Sequence, residues 1–297
     1  MTYIHPTDKR ISDFSTAICK SGSSLETICR SIFAWLDGNV EYSRLQAPFF
    51  PLQRSDLDLL AMKAGTCGDF SNLLVSVLLA KGFDACYAYV HRDCYGNAQD
   101  HICAAVNENG KNILIDATQP YRKWHGFDCP HQDYELLSPD EFEYRMKKEE
   151  SYWYSVAETH GCTLLAGLLY APWIHAECVF ESKESFDNVF FLVTLDNQLE
   201  PILYVYYQHY TPQKGIMPIM AVISTEKIRF HFSIHPCDDL WDNKQWSKGF
   251  EEAELPAQYV SDELRLMKCS IMKVLPQINR ILNQVGCHSL IWHLHRV

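Results

Sequence analysis

Cys67, His101 and Asp116 are residues of the three types needed for acyl transfer through sulfur: a nucleophile, a base beside it and a group to hold that base. Cys67 stands out among the chain's twelve cysteines because of its setting, Ala64-Gly65-Thr66-Cys67-Gly68-Asp69-Phe70-Ser71. Thr66 can cap a helix whose capping-box partner is Asp69, so Cys67 is expected at the first helical residue. There its sulfur lies near unpaired backbone amides and the positive end of the helix dipole, which favour thiolate over thiol. A thiolate so placed attacks carbonyl carbon and forms a thioester. An imidazole must then move protons, and a carboxylate must fix its tautomer.

The elements that would position these groups can be read around them. Phe70, Leu73, Leu74, Val77 and Leu78 recur at helical steps and Lys81-Gly82 supplies a stop, so a helix with one buried face follows Cys67. Phe83 to Val90 reads as a strand, and His101 to Val106 and Asn112 to Ala117 read as two more, joined by Asn107-Glu108-Asn109-Gly110. A two-residue turn at Glu108-Asn109 opposes His101 directly to Asp116, whereas a turn at Asn109-Gly110 makes them diagonal neighbours. Either register puts both on one face, and Ile102, Ala104, Val106, Ile113 and Ile115 on the other. The apolar face is expected to be core, which leaves His101 and Asp116 to point toward the helix of Cys67.

Gly65-x-Cys67-Gly68-Asp69-Phe70, then Gly82-Phe83-x-Ala85, the strand-opening His101 and Ile115-Asp116-x-Thr118 resemble the transglutaminase-like superfamily, a papain-related cysteine fold. The resemblance spans about residues 20 to 120, taking in a helix from Leu25 through Leu36, Tyr42, and a short helix Asp56 to Lys63. It implies Cys67 as nucleophile, His101 as general base and acid, and Asp116 as orienter. It also implies an α+β catalytic domain with the nucleophile helix packed on an antiparallel sheet. Cys103 departs from the family pattern, which often has an aromatic residue two positions after the histidine.

An oxyanion needs donors, and the backbone amide of Cys67 at the helix start is the natural first. Tyr42, Gln46 and Gln53 precede the nucleophile in a segment containing Pro48 and Pro51, and each could swing a donor toward the reacting carbonyl. Loose analogy with papain-like sites favours a glutamine. His125, Cys129 and His131 cluster around Pro130, but there is no Cys-x-x-Cys pair and no second ligand pair at zinc-finger spacing, so no metal is expected. No phosphate loop or dinucleotide glycine fingerprint occurs, and no cofactor is expected.

A net charge of −11 without basic clusters argues against nucleic acid and anionic membrane as partners. Twelve cysteines with no export signal after Met1 suggest reduced thiols in a cytoplasm. Cys162 to Phe180 is apolar, but Pro172, His175 and Glu177 make packed strands the expectation, not a membrane span.

Two domains are expected, a catalytic one over residues 1–150 and a β-rich one over 151–297, tightly packed together. In the second, strands are expected at Cys162 to Leu169, Val189 to Leu195, Ile202 to Tyr207, Met217 to Ile223 and Lys227 to Ile234, with a final helix from Ser261 through Leu282. Clustered Tyr204, Tyr206, Tyr207, His209 and Tyr210 could line a binding surface, but strand aromatics more often serve as core or cross-strand pairs.

The expected reaction is cysteine-dependent acyl transfer or amide-bond formation. The donor would be a peptide, a protein or a carrier-bound thioester, and the acceptor an amine or water. The resemblance implies this range, since the superfamily includes crosslinkers, peptidases, glycan-removing amidases, and amide synthases or acyltransferases of natural-product assembly. Hydrolysis of an amide by a peptidase or amidase is the first alternative. A non-catalytic scaffold retaining the fold is the second.

Overall fold

The computed structural model describes residues 3–42, 54–119 and 121–159, and five strands between 173 and 232. It divides into two compact units, Met1–Tyr152 and Trp153–Val297. The first is α+β, with helices packed on a four-stranded antiparallel sheet.

Helices α1 (Lys9–Ile18), α2 (Leu25–Asn39) and α3 (Asp56–Met62) precede α4 (Cys67–Ala80). Ser24 caps α2, its hydroxyl accepting from the Thr27 N–H at 3.3 Å, and Leu25, Ile28, Cys29, Ile32, Phe33 and Leu36 form the buried stripe. Lys63 ends α3 in the left-handed region (φ 57°) and turns the chain into β2 (Ala64–Gly65). That short strand pairs in parallel with β1 (Glu41–Tyr42), Tyr42 lying opposite Gly65.

Helix α4 is buried on every side from Asp69 through Leu78, not on one face as its periodicity suggests. Burial of each large apolar side chain stabilises by about 1.5–3 kcal/mol, so Leu73, Leu74, Val77 and Leu78 make α4 the centre of the unit. Its polar residues escaped the periodicity argument because each is satisfied inside. Ser71 Oγ donates to Cys67 O at 2.7 Å, Asn72 Nδ2 donates to Arg54 O at 2.8 Å, and Ser76 Oγ accepts from the His5 N–H at 3.2 Å. Unpaired, such groups would cost about 1–3 kcal/mol apiece.

The sheet has the order β5-β4-β3-β6, from β3 (Ala85–Arg92), β4 (Ala98–Glu108), β5 (Lys111–Ile115) and β6 (Asp133–Leu137). Positive φ at Asn109 (54°) and Gly110 (82°) closes the β4–β5 hairpin, with Glu108 opposite Lys111 and Ala104 opposite Ile115. This selects the diagonal register for His101 and Asp116. A short helix α5 (Tyr121–Trp124) lies between β5 and β6, and α6 (Pro139–Thr159) follows β6. The expected domain boundary at residue 150 falls within α6.

In the second unit, β7 (Trp173–Cys178), β8 (Phe186–Leu195), β9 (Pro201–Thr211), β10 (Gly215–Ile223) and β11 (Ile228–Phe232) form an antiparallel meander. Four of these overlap expected strands. The strand expected at Cys162 to Leu169 and the final helix lie outside the described residues. No helix among the described residues is long and apolar enough to cross a membrane.

Candidate active site

Cys67 is the first residue of α4, as expected, and Asp69 builds the turn that presents it. One carboxylate oxygen, Oδ2, accepts from the Thr66 N–H at 2.8 Å, the Thr66 hydroxyl at 3.3 Å and Arg54 Nη2 at 2.5 Å. Arg54 and Asp69 are a buried ion pair, 2% and 3% exposed. Gly65 admits this arrangement. A Cβ there would lie 2.7 Å from Leu59 Cδ1 and 2.8 Å from the Asp69 Cβ.

The structure brings Cys67, His101 and Asp116 together. His101 Nε2 donates to Asp116 Oδ2 at 2.7 Å, and the Cys67 side chain lies near enough to the same imidazole to bear on its ionisation. Burial works against a charged imidazole here, but the charge and hydrogen bond of Asp116, then the contact with Cys67, outweigh it and hold His101 well above its ordinary pKa. Burial likewise opposes ionisation of Asp116, yet His101 and a second histidine, His131, hold its carboxyl below the usual carboxylate range. Its backbone is fixed as well, the Asp116 N–H donating to Gly126 O at 2.8 Å and Asp116 Oδ1 accepting from the Thr118 N–H at 2.8 Å. Arg122 ties this loop to α2, its Nη1 donating to Ala117 O at 2.8 Å while its Nη2 pairs with Asp37 at 2.6 Å.

The approach differs from the expected one. Helix α4 packs on the face carrying Ile102, Ala104, Val106, Ile113 and Ile115, so His101 and Asp116 do not point at it across the sheet. They lie toward the opposite face, where Tyr121 and Cys129 cover Cys103, Ala105 and Leu114. The sulfur comes near the imidazole because the first turn of α4 lies against β4 at Ile102, next to His101: Ser71 Oγ donates to Ile102 O at 3.2 Å, and a Cβ at Gly68 would sit 3.8 Å from Ile102 Cγ2. The apolar face had to meet the most apolar helix, and the reacting groups meet at the end of that interface. Cys103, the departure from the family pattern, is buried beside Asp116. Its thiol is pushed far up by burial and by the charges of Asp116 and Cys67.

Among the oxyanion candidates, the Cys67 amide is engaged, donating to Tyr42 Oη at 3.2 Å. Tyr42 lies beside the Cys67 side chain as well. Burial, then the nearby charges of Cys67 and Asp116, hold its phenol far above its ordinary pKa, so it remains a neutral donor. The ring packs edge-on against Phe70 at 5.3 Å between centroids. Gln46 and Gln53 lie outside the described residues.

The residue missed as a partner of the site is His131. Its Nε2 lies 2.9 Å from Asp116 Oδ2, the oxygen that serves His101, and 3.4 Å from Cys129 Sγ. The sequence draws attention to it only through the His125, Cys129 and His131 cluster. Donor atoms of Cys94, Cys129 and His131 fall within 4.8 Å of one another, as do those of His101, Asp116 and His131. The nitrogen in contact with Cys129 is the one that serves Asp116, so a metal bound through it would have to break that bond.

Residues 9–129 match the family model of a transglutaminase-like domain. A solved structure of a candidate cysteine protease from Cytophaga hutchinsonii is similar at 19% identity with a TM-score of 0.33, over 46% of this chain and 48% of that one. No curated protein matches the chain.

Proposed function

With a transglutaminase-like domain over residues 9–129 as the premise, we propose that the chain catalyses cysteine-dependent acyl transfer or amide-bond formation through a thioester on Cys67. The observation that carries this reading is the bond from His101 to Asp116 with the Cys67 side chain close enough to bear on the same imidazole. The Cys67 sulfur attacks the donor carbonyl carbon and the carbonyl oxygen takes the negative charge. Tyr42, polarised by the Cys67 amide that bonds its oxygen, donates to that oxygen. The bond from carbon to the leaving nitrogen or sulfur breaks as His101 delivers its proton to the leaving group. An acceptor amine then attacks the thioester, His101 takes the amine's proton, and the Cys67 sulfur departs. Asp116 holds the ring in the tautomer that turns Nδ1 to sulfur.

Water in place of the amine gives the hydrolytic alternative with the same residues. Product analysis with peptide and thioester donors, with and without saturating amine, separates the two, because only hydrolysed product under saturating amine excludes transfer. Intact-mass measurement tests the shared step: a donor-sized adduct is expected on the wild type and none on Cys67→Ala. No adduct with any donor, together with Cys67 alkylation no faster than that of a surface thiol, leaves the scaffold reading.

A further inference from the structure

Asp116 is wholly buried and its Oδ2 serves two imidazoles, His101 Nε2 at 2.7 Å and His131 Nε2 at 2.9 Å. Both rings must carry hydrogen on Nε2 to make these bonds. The His131 side chain is itself 0% exposed, and its Nδ1 has no hydrogen-bond partner among the described residues. A buried ring with one orphaned nitrogen is costly, and an apolar side chain of similar volume would avoid that cost. What the histidine gains lies on its Nε2 edge. The chain is built to bring it there: Phe127 bridges to Ile115, the Cys129 N–H donates to Leu114 O at 2.9 Å, and the His131 N–H donates to Cys129 O at 3.0 Å. Tyr121 wedges against both imidazoles, 5.4 Å from the His101 ring and 5.0 Å from that of His131, and its hydroxyl donates to the buried Asp93 at 2.9 Å.

We propose that His131 is a positioning residue of this site, which holds Asp116 Oδ2 together with His101 and so fixes the carboxylate that orients the working imidazole. The proposal rests on the acyl-transfer reading for its consequence, but not for its geometry. With three N–H donors on its two oxygens, Asp116 cannot rotate without breaking bonds on both. Without His131, Oδ2 loses the donor that holds it when His101 moves to pass a proton.

Two measurements on the full chain test this. In the wild type labelled with ¹⁵N-histidine, two strongly downfield, exchange-protected imidazole N–H signals are expected in the proton spectrum. His131→Gln should remove one and keep the other. The rate at which iodoacetamide alkylates Cys67, followed across pH by peptide mass spectrometry, should fall by about tenfold or more in His131→Leu, approaching Asp116→Asn, since small misplacements of reacting groups carry such penalties. His131→Gln, whose amide can donate near the Nε2 position, should regain most of the rate and the wild-type pH profile. A folded His131→Leu with the wild-type rate and profile overturns the proposal, as does a single downfield signal in the wild type. If His131→Leu does not fold, the wild-type spectrum and the Gln variant decide. A His101→Ala variant that alkylates at the wild-type rate would instead sink the acyl-transfer reading and leave the two Asp116 bonds to be judged by their signals.

Discussion

Tyr42 carries the sharpest consequence at the level of single residues, because its hydroxyl oxygen accepts from the nucleophile's amide and so stands beside the place where the substrate's charge would develop. Tyr42→Phe should lower kcat by about 10²–10³-fold, the usual loss for one such donor. It should also destabilise by about 1–3 kcal/mol, since the Cys67 N–H is left without its partner. Steady-state kinetics with an adduct-forming donor and urea unfolding check both. Cys67→Ala should instead abolish adduct formation and shift stability by less than about 1 kcal/mol, because Cys67 is only partly buried. His101 and Asp116 predict opposite pH dependences. His101 is held high, so its contribution to stability is complete below the unfolded imidazole pKa of about 6.5 and is lost as pH rises through the raised folded value. Asp116 is held low, so its contribution is complete above about 3.9 and is lost as pH falls toward the depressed folded value. The urea midpoint advantage of wild type over His101→Leu should therefore shrink as pH rises above about 6.5, and a constant advantage would contradict the assignment. Cys67 and Asp116 were legible through a cap and a hairpin parity, and His101 through the parity it shares with Asp116, although it lies within β4 and does not open it as expected. His131 carries no such signal, since it reaches Asp116 through an irregular segment after Pro130, where no period relates chain position to direction.

Between residue and fold stands the turn that starts α4, where one carboxylate caps the helix, bonds Thr66 and pairs with Arg54. Removing one partner of a buried ion pair costs about 3–5 kcal/mol, so Arg54→Met should be strongly destabilising in urea unfolding. A loss below about 1 kcal/mol would show the pair to be incidental. Gly65→Ala tests the same turn from the other side. Its new methyl would meet Leu59 and Asp69 inside ordinary contact distance, so a cost of about 1–3 kcal/mol is expected. Slower Cys67 alkylation should accompany it as the helix start shifts. The cap, the apolar core of α4 and the hairpin were all readable, because they depend on neighbours close in sequence. The all-round burial of α4 and the choice of sheet face were not. Both follow from polar side chains finding partners far along the chain, such as Asn72 with Arg54 and Tyr87, which periodicity cannot register.

At the scale of the molecule, the first unit joins a helical layer to a sheet, and the candidate site is divided between them. Cys67 and Tyr42 belong to the helical side, linked by the β1–β2 pairing and the hydrogen bond from amide to phenol. His101 and Asp116 belong to the sheet and the loop that follows it. In dilute urea, the enhanced alkylation of Cys67 should therefore disappear at a lower concentration than the far-UV circular dichroism signal, because local loosening precedes global unfolding. Coincident transitions would argue for a single cooperative step. Four of the five described strands of the second unit, β8 to β11, were legible from their alternation and β7 was not, and nothing in that alternation names a substrate. One outcome follows from the way the site is shared out. Any displacement of the helical layer from the sheet would part Cys67 and Tyr42 from His101 and Asp116 while leaving each pair intact.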